Sequence, residues 1–206
     1  RDISPEHPLI IYYGGNTEEV SNNLFDLEKY EKESLLFMNY RGYGKSTGNP
    51  SQANIFSDAL FIFDHFSDTY SIPSTNIILM GRSLGTAVAT YVAKLRHIKA
   101  VILISPFDSL VNIAKEHYPV FPVKLLLKHP FESVQIAQEI TSPMITIIAG
   151  QDRIISNERS VALVEHWGGE SNYVIIKDAG HNTISIYPQY WDILRLFLSE
   201  MEKRSA

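Results

Sequence analysis

A serine between two glycines follows a short apolar run and predicts nucleophilic chemistry. Residues 76–80 lead into Gly-Arg-Ser-Leu-Gly at 81–85, and small residues at helical spacing follow. A strand that turns sharply into a helix exposes such a serine hydroxyl on a strained bend. Glycines on both sides of the bend allow strand and helix to approach closely. The stretch therefore predicts a nucleophile elbow with Ser83 as the nucleophile.

A serine nucleophile requires a general base and a group that orients the base. Both are expected just after later strands, because ligands of parallel sheets lie beyond the carboxyl ends of the strands. Among seven histidines, only His181 lies in a small-residue turn directly after a predicted strand, and it is the expected base. Asp152, after the preceding strand, is the favoured acid. Asp108, after the fourth strand, is the alternative, since Asp178 is too close to His181 along the chain.

The oxyanion of a tetrahedral intermediate needs hydrogen-bond donors near the serine. One expected donor is the backbone N–H of Leu84, beside the nucleophile. The other is expected in the turn Gly-Gly-Asn at 14–16, most simply the N–H of Asn16. The two glycines also fit a turn that needs positive φ, and both interpretations hold together.

The elements that must carry these residues alternate along the chain. Apolar runs predict strands, and periodic segments predict helices between them. This alternation predicts one α/β domain over residues 1–206, with a mostly parallel sheet and helices on both faces. The predicted strands are 8–13, 34–39, 76–80, 100–104, 144–149 and 173–176. The predicted helices are one after an N-cap at Thr17, then 51–66, 86–96, 156–167 and 188–201, the last with Ile193, Leu196 and Phe197 facing inward.

The composition excludes several classes of site. The chain has 206 residues and a net charge of -5, which gives no electrostatic footprint for nucleic acid. It has no cysteine, which excludes a thiol nucleophile, disulfides and cysteine-ligated metals. Gly44-Lys45-Ser46 resembles part of a phosphate-binding loop, but Asn39 stands where that loop needs its first glycine. We expect neither a metal nor an organic cofactor.

Residues 105–140 depart from the regular alternation. The segment holds four prolines and an aromatic-rich stretch at 117–122. Long insertions in compact domains are often lids or binding loops, so a short cap at 107–140 is one interpretation. Packing of the same side chains into the core is the other. The expected substrate contacts are Phe107, Tyr118 and Phe121 in this segment and Gly15 in the early turn.

Motifs across almost the whole chain resemble the α/β-hydrolase superfamily, and in particular short-cap serine hydrolases close to depalmitoylase-like abhydrolase proteins. The matching motifs are Tyr-Gly-Gly-Asn at 13–16, Asn-Tyr-Arg-Gly-Tyr-Gly-Lys-Ser at 39–46, Gly-Arg-Ser-Leu-Gly-Thr at 81–86, Ser-Pro-Phe at 105–107, Gly-Gln-Asp at 150–152 and Ala-Gly-His-Asn at 179–182. Two features depart from the family pattern. Gly14-Gly15 replaces the usual His-Gly, and the strands that the family carries ahead of residue 8 are missing, as expected of a fragment or a minimal variant.

The resemblance implies a Ser83-Asp152-His181 triad that cleaves a carboxylic ester or thioester through an acyl-enzyme. It also implies six strands in the spatial order second, first, third, fourth, fifth, sixth. The expected partner is a small-molecule or acylated substrate, and membrane association is expected only through a segment ahead of residue 1. The alternative is a catalytically inactive scaffold of the same fold that serves as an interaction module.

Overall fold

Six parallel strands form one sheet in the computed structural model, which describes residues 3–30 and 32–204. The order β2-β1-β3-β4-β5-β6 is the predicted one. Both α/β class and strand order are therefore confirmed. The strands are β1 (Leu9–Tyr13), β2 (Ser34–Met38), β3 (Ile77–Arg82), β4 (Ala100–Ile104), β5 (Met144–Ala149) and β6 (Ser171–Ile176).

The helices cover both faces of the sheet. One apolar cluster joins the sheet to α1, α2 and α6, while the other joins it to α7 and a 3-10 helix at Val20–Lys29. Central strands β1, β3, β4 and β5 are almost wholly buried, as expected where helices cover both faces of a parallel sheet. The helices are α1 (Gln52–Thr69), α2 (Leu84–Leu95), α3 (Leu110–His117), α4 (Val123–Leu126), α5 (Val134–Ala137), α6 (Asn157–Glu165) and α7 (Pro188–Lys203).

Two local predictions were wrong. The helix expected after Thr17 is a 3-10 helix that begins at Val20, and Glu19, not Thr17, caps it by accepting from the Ser21 N–H. Leu196 does not face inward, because α7 buries the stripe that contains Leu194 and Leu198. A residue two positions from Leu194 points to the opposite side of a helix, and Leu196 is accordingly exposed.

The segment after β4 holds three short helices, α3, α4 and α5, joined by irregular turns. Its two ends are buried through Phe107 and Phe131, while most side chains from 115 to 126 are exposed. The segment thus packs at its ends and projects in its middle. Within the described residues, no helix is long and apolar enough to cross a bilayer.

Candidate active site

Ser83 lies at the sharp turn between β3 and α2. Its φ of 50° lies in the left-handed region, which is strained for a residue with a Cβ. The Ser83 N–H donates to the carbonyl of Ile104 at 2.9 Å, which fixes the turn to β4. A Cβ added at Gly85 would collide with the carbonyl oxygen of Tyr13. The glycine therefore lets the first turn of α2 lie directly against the end of β1, as the predicted elbow requires.

The three residues of the predicted triad form a continuous hydrogen-bonded chain. His181 Nε2 lies 3.0 Å from Ser83 Oγ, and His181 Nδ1 lies 2.7 Å from Asp152 Oδ2. The side chain of Asp152 is 2% exposed and that of His181 is 10% exposed. The imidazole is thus oriented by a carboxylate on one side and faces a serine hydroxyl on the other, which is the arrangement that transfers a proton from serine.

The structure distinguishes the two candidate acids. Asp108 is buried, but its carboxylate accepts from the Ser109 N–H, from Asn112 Nδ2 and from Arg159 Nη1 at 2.6–2.8 Å. It therefore holds α3 and α6 in place and does not contact the imidazole. Only Asp152 of these two carboxylates lies against His181.

The environment of Asp152 keeps its carboxylate charged. Burial raises its pKa, but hydrogen bonds from His181 and from the backbone N–H groups of Ile155 and Ile154 outweigh burial and lower the pKa below its ordinary value. A charged carboxylate at this position fixes the imidazole tautomer and stabilises an imidazolium.

The turn at 14–16 lies beside the serine. A Cβ added at Gly15 would come within 3.5 Å of the Ser83 Cβ. The Gly15 N–H already donates to Glu18 Oε2 at 2.6 Å, whereas Asn16 lines the same cavity as Ser83 and Leu84. Tyr43 donates its hydroxyl to Asn16 Oδ1 at 2.7 Å and so anchors that side chain. Leu84 is the first residue of α2, where helical N–H groups have no carbonyl partner within the helix.

Two residues that the sequence did not single out connect the parts of the site. Glu18 accepts from the Gly15 N–H and forms an ion pair with Arg82 at 3.0 Å. Arg82 also donates to the carbonyl of His181 at 3.1 Å and to Asn182 Oδ1 at 2.9 Å. The only feature of the sequence that could have indicated this role for Arg82 was its position inside Gly-x-Ser-x-Gly. Glu18 carried no signal, because its partners are distant along the chain.

A cavity of about 450 Å³ opens beside Ser83. Its volume is in the range of small-molecule sites, and its walls are mostly apolar. Phe107, one of the expected substrate contacts, lines it, whereas Gly15, Tyr118 and Phe121 do not. The other apolar residues of the wall are Pro50, Ile55, Leu84, Leu110, Ile113, Leu127, Phe131, Ile154 and Ile155.

No cluster of three or more potential metal ligands occurs among residues 3–30 and 32–204. The polar residues that line the cavity are Asn16, Tyr43, Ser51, Gln52, Ser83, Lys128 and His129. His181 is not part of this wall, but its Nε2 lies 3.0 Å from Ser83 Oγ. A serine hydroxyl beside an oriented imidazole is an arrangement suited to acyl transfer.

The fold and this site define an α/β-hydrolase. Residues 63–199 match the family described as serine hydrolase. The chain belongs to that family, within the α/β-hydrolase superfamily, and it resembles the abhydrolase-domain proteins.

Proteins of Mycobacterium tuberculosis and Mus musculus are similar to this chain in sequence. The chain is 32% identical over 169 residues to an uncharacterized protein of Mycobacterium tuberculosis. It is 31% identical over 168 residues to alpha/beta hydrolase domain-containing protein 17C of Mus musculus. Each alignment covers 81% of this chain, but only 60% of the mycobacterial protein and 51% of the mouse protein.

Solved structures of the same fold have low sequence identity. Est1E of Butyrivibrio proteoclasticus, solved with ferulic acid bound, superposes with a TM-score of 0.77 at 18% identity, covering 95% of this chain and 90% of that one. A monoacylglycerol lipase of Paleococcus ferrophilus gives a TM-score of 0.68 at 17% identity, covering 94% and 93%. These likenesses support the fold.

Proposed function

We propose that the chain is a serine hydrolase that cleaves a carboxylic ester or thioester through an acyl-enzyme on Ser83. The observation that carries the proposal is the hydrogen-bonded chain from Ser83 Oγ through His181 to Asp152, placed at the mouth of an apolar cavity. A nucleophile, an oriented base and a substrate-sized space thus occur together at the carboxyl edge of the sheet.

In the proposed acylation step, Ser83 Oγ attacks the carbonyl carbon while its proton moves to His181 Nε2. The carbonyl oxygen becomes an oxyanion, which accepts hydrogen bonds from the N–H groups of Leu84 and Asn16. Asp152 stabilises the imidazolium. His181 then gives the proton to the departing alcohol or thiol, and the acyl group stays on Ser83.

Deacylation repeats these roles with water. His181 takes a proton from the water as its oxygen attacks the acyl carbon, and it returns the proton to Ser83 Oγ as the carboxylic acid leaves. The apolar part of the wall, formed by residues such as Leu110, Leu127 and Phe131, suits an acyl chain. We therefore expect the acyl side of the substrate to occupy this cavity.

The decisive experiment combines a fluorophosphonate probe with a p-nitrophenyl ester assay on Ser83→Ala. The variant is expected to lose labelling and to lose turnover, leaving at most the roughly 10³-fold residual catalysis of a site without its nucleophile. Ser105→Ala is the matched control, because Ser105 also follows a strand with a positive φ but is buried. It should keep both labelling and turnover.

Two results would contradict the proposal. Labelling that survives in Ser83→Ala would point to another nucleophile. A folded wild-type protein that neither reacts with the probe nor turns over any ester or thioester would favour the inactive scaffold. A panel of acyl lengths on alcohol and thiol leaving groups then separates esterase from thioesterase activity.

A further inference from the structure

The middle of the segment after β4 exposes an unusual set of apolar side chains. Val120 and Leu125 are each 86% exposed, and Leu126 is 64% exposed. We refer to residues 118–126 as the lip. The large apolar side chains that it exposes are Tyr118, Val120, Phe121, Leu125 and Leu126.

Contacts within the lip hold these side chains outward. Tyr118 and Phe121 pack edge to face at 6.4 Å, and the Phe121 N–H donates to the Tyr118 carbonyl. The Leu125 N–H donates to the Pro122 carbonyl, and Val123 is buried beneath. Contiguous exposed apolar surface on a folded domain marks an interaction site.

The charge of this region differs from that of the chain. The whole chain carries a net charge of -5, but residues 117–130 contain two lysines, two histidines and no acidic residue. Lys124 lies within the lip and Lys128 follows it. Neither forms an ion pair within the part of the chain that the structure describes. The lip therefore presents apolar side chains together with free positive charge.

The lip borders the mouth of the cavity beside Ser83. Leu127, Lys128 and His129, which continue directly from the lip, line that cavity. His117, just before the lip, lies with its Nε2 3.0 Å from the carbonyl oxygen of Ile154, a half-exposed residue that also lines the cavity. A surface that contacts the lip would therefore lie over the cavity entrance.

We propose that the lip docks on an anionic lipid bilayer. Apolar and aromatic side chains enter the region between headgroups and acyl chains, and lysines at its edge pair with anionic headgroups. A symmetric contact with a second copy would bring the unpaired Lys124 side chains of both copies to one interface, which charge repulsion disfavours. The sequence predicts membrane association only through a segment ahead of residue 1, whereas the lip would provide a membrane contact within the domain.

The test is flotation of the Ser83→Ala protein with phosphatidylcholine vesicles that do or do not contain phosphatidylserine. Ser83→Ala lacks the proposed nucleophile, so vesicle binding is measured without hydrolysis and independently of the proposed function. We expect binding to the anionic vesicles that weakens as salt rises. Val120→Ser with Leu125→Ser should weaken it at least tenfold, and Lys124→Ala about fivefold.

The matched control replaces two large apolar residues outside the lip that are 68% and 73% exposed. Phe61→Ser with Leu196→Ser removes exposed side chains from α1 and α7 and should leave vesicle binding unchanged. Equal binding by both double variants, or no binding by the parent protein, would overturn the proposal. A dimer that dissociates in the lip variant, without vesicle binding, would assign the surface to a second copy instead. If Val120→Ser with Leu125→Ser shows no thermal transition and is therefore unfolded, the test rests on Lys124→Ala. Unchanged vesicle binding by that variant would overturn the proposal.

Discussion

Arg82 Nη1 lies 3.0 Å from Glu18 Oε2, and this ion pair connects the two loops that flank the serine. Glu18 holds the turn at 14–16 through the Gly15 N–H, while Arg82 holds the loop of His181 through that residue's carbonyl. Both side chains are mostly buried. One shared contact therefore connects the turn that holds the proposed oxyanion donor to the loop that holds the imidazole.

Replacing Arg82 should consequently impair turnover more than substrate binding. In Arg82→Met, Glu18 loses its cation, and the His181 carbonyl and Asn182 lose a donor. Small displacements of reacting groups reduce rates by up to about a hundredfold, so we expect kcat to fall by ten- to a hundredfold. KM for an ester should change little, because Arg82 does not line the cavity. Steady-state kinetics measure both constants.

Arg41→Met is the control for the loss of an arginine ion pair. Arg41 pairs with Asp58 at the surface, where solvent screens an ion pair and its contribution to stability is small. Its kcat should equal that of the wild type. An unchanged kcat in folded Arg82→Met would show that the ion pair does not position the site.

The lowered pKa of Asp152 predicts a specific pH dependence of stability. A carboxylate whose folded-state pKa lies below its unfolded value of about 3.9 stabilises the fold above that pH, and the stabilisation is lost as pH falls through the folded pKa. The difference in unfolding free energy between wild type and Asp152→Asn should therefore be larger at pH 7 than at pH 3. Urea unfolding at both pH values measures it, and a difference that grows toward pH 3 would refute the assignment.

Filling the cavity should shift the acyl-length preference. Leu127 lines the cavity and is only partly exposed, so the larger ring in Leu127→Trp should fill part of the cavity. We expect kcat/KM to fall about tenfold or more for long acyl esters and to change little for acetyl esters. Leu196→Trp adds the same ring on the exposed side of α7 and should leave the preference unchanged. A preference that is identical in all three proteins would place the acyl chain elsewhere.

Gly85 should not tolerate a side chain. In Gly85→Ala, the new Cβ would meet the carbonyl groups of Tyr13 and Gly14, which are backbone atoms that cannot rotate away. Overpacking of this kind costs about 1–3 kcal/mol or more, so the melting temperature should fall by several degrees. Gly180→Ala is the control, since its Cβ would meet its nearest neighbour, Thr183 Oγ1, at 3.5 Å. A similar melting temperature for both variants would mean that the elbow is more loosely packed than the structure shows.

Local sequence patterns predict the strands, the elbow and the candidate triad of this protein. Apolar runs bounded by turns give the six strands, and Gly81-x-Ser83-x-Gly85 specifies the elbow, because only glycine fits where strand and helix approach so closely. The positions of Asp152 and His181 after successive strands bring them to one edge, because parallel strands end on the same side of a sheet. Elements and candidate triad were therefore predictable.

Tertiary packing decided what sequence spacing leaves open. Asp108 and Asp152 both follow strands, and only their spatial partners separate a carboxylate that holds two helices from one that contacts His181. Glu18 and Arg82 meet across 64 residues, a distance over which no local pattern acts. The sequence also left open whether the apolar residues of the lip are buried or exposed, because the same residue types occur in cores and at interfaces. Whether Leu125 is buried depends on what packs against it, and in the folded chain its side chain is left exposed.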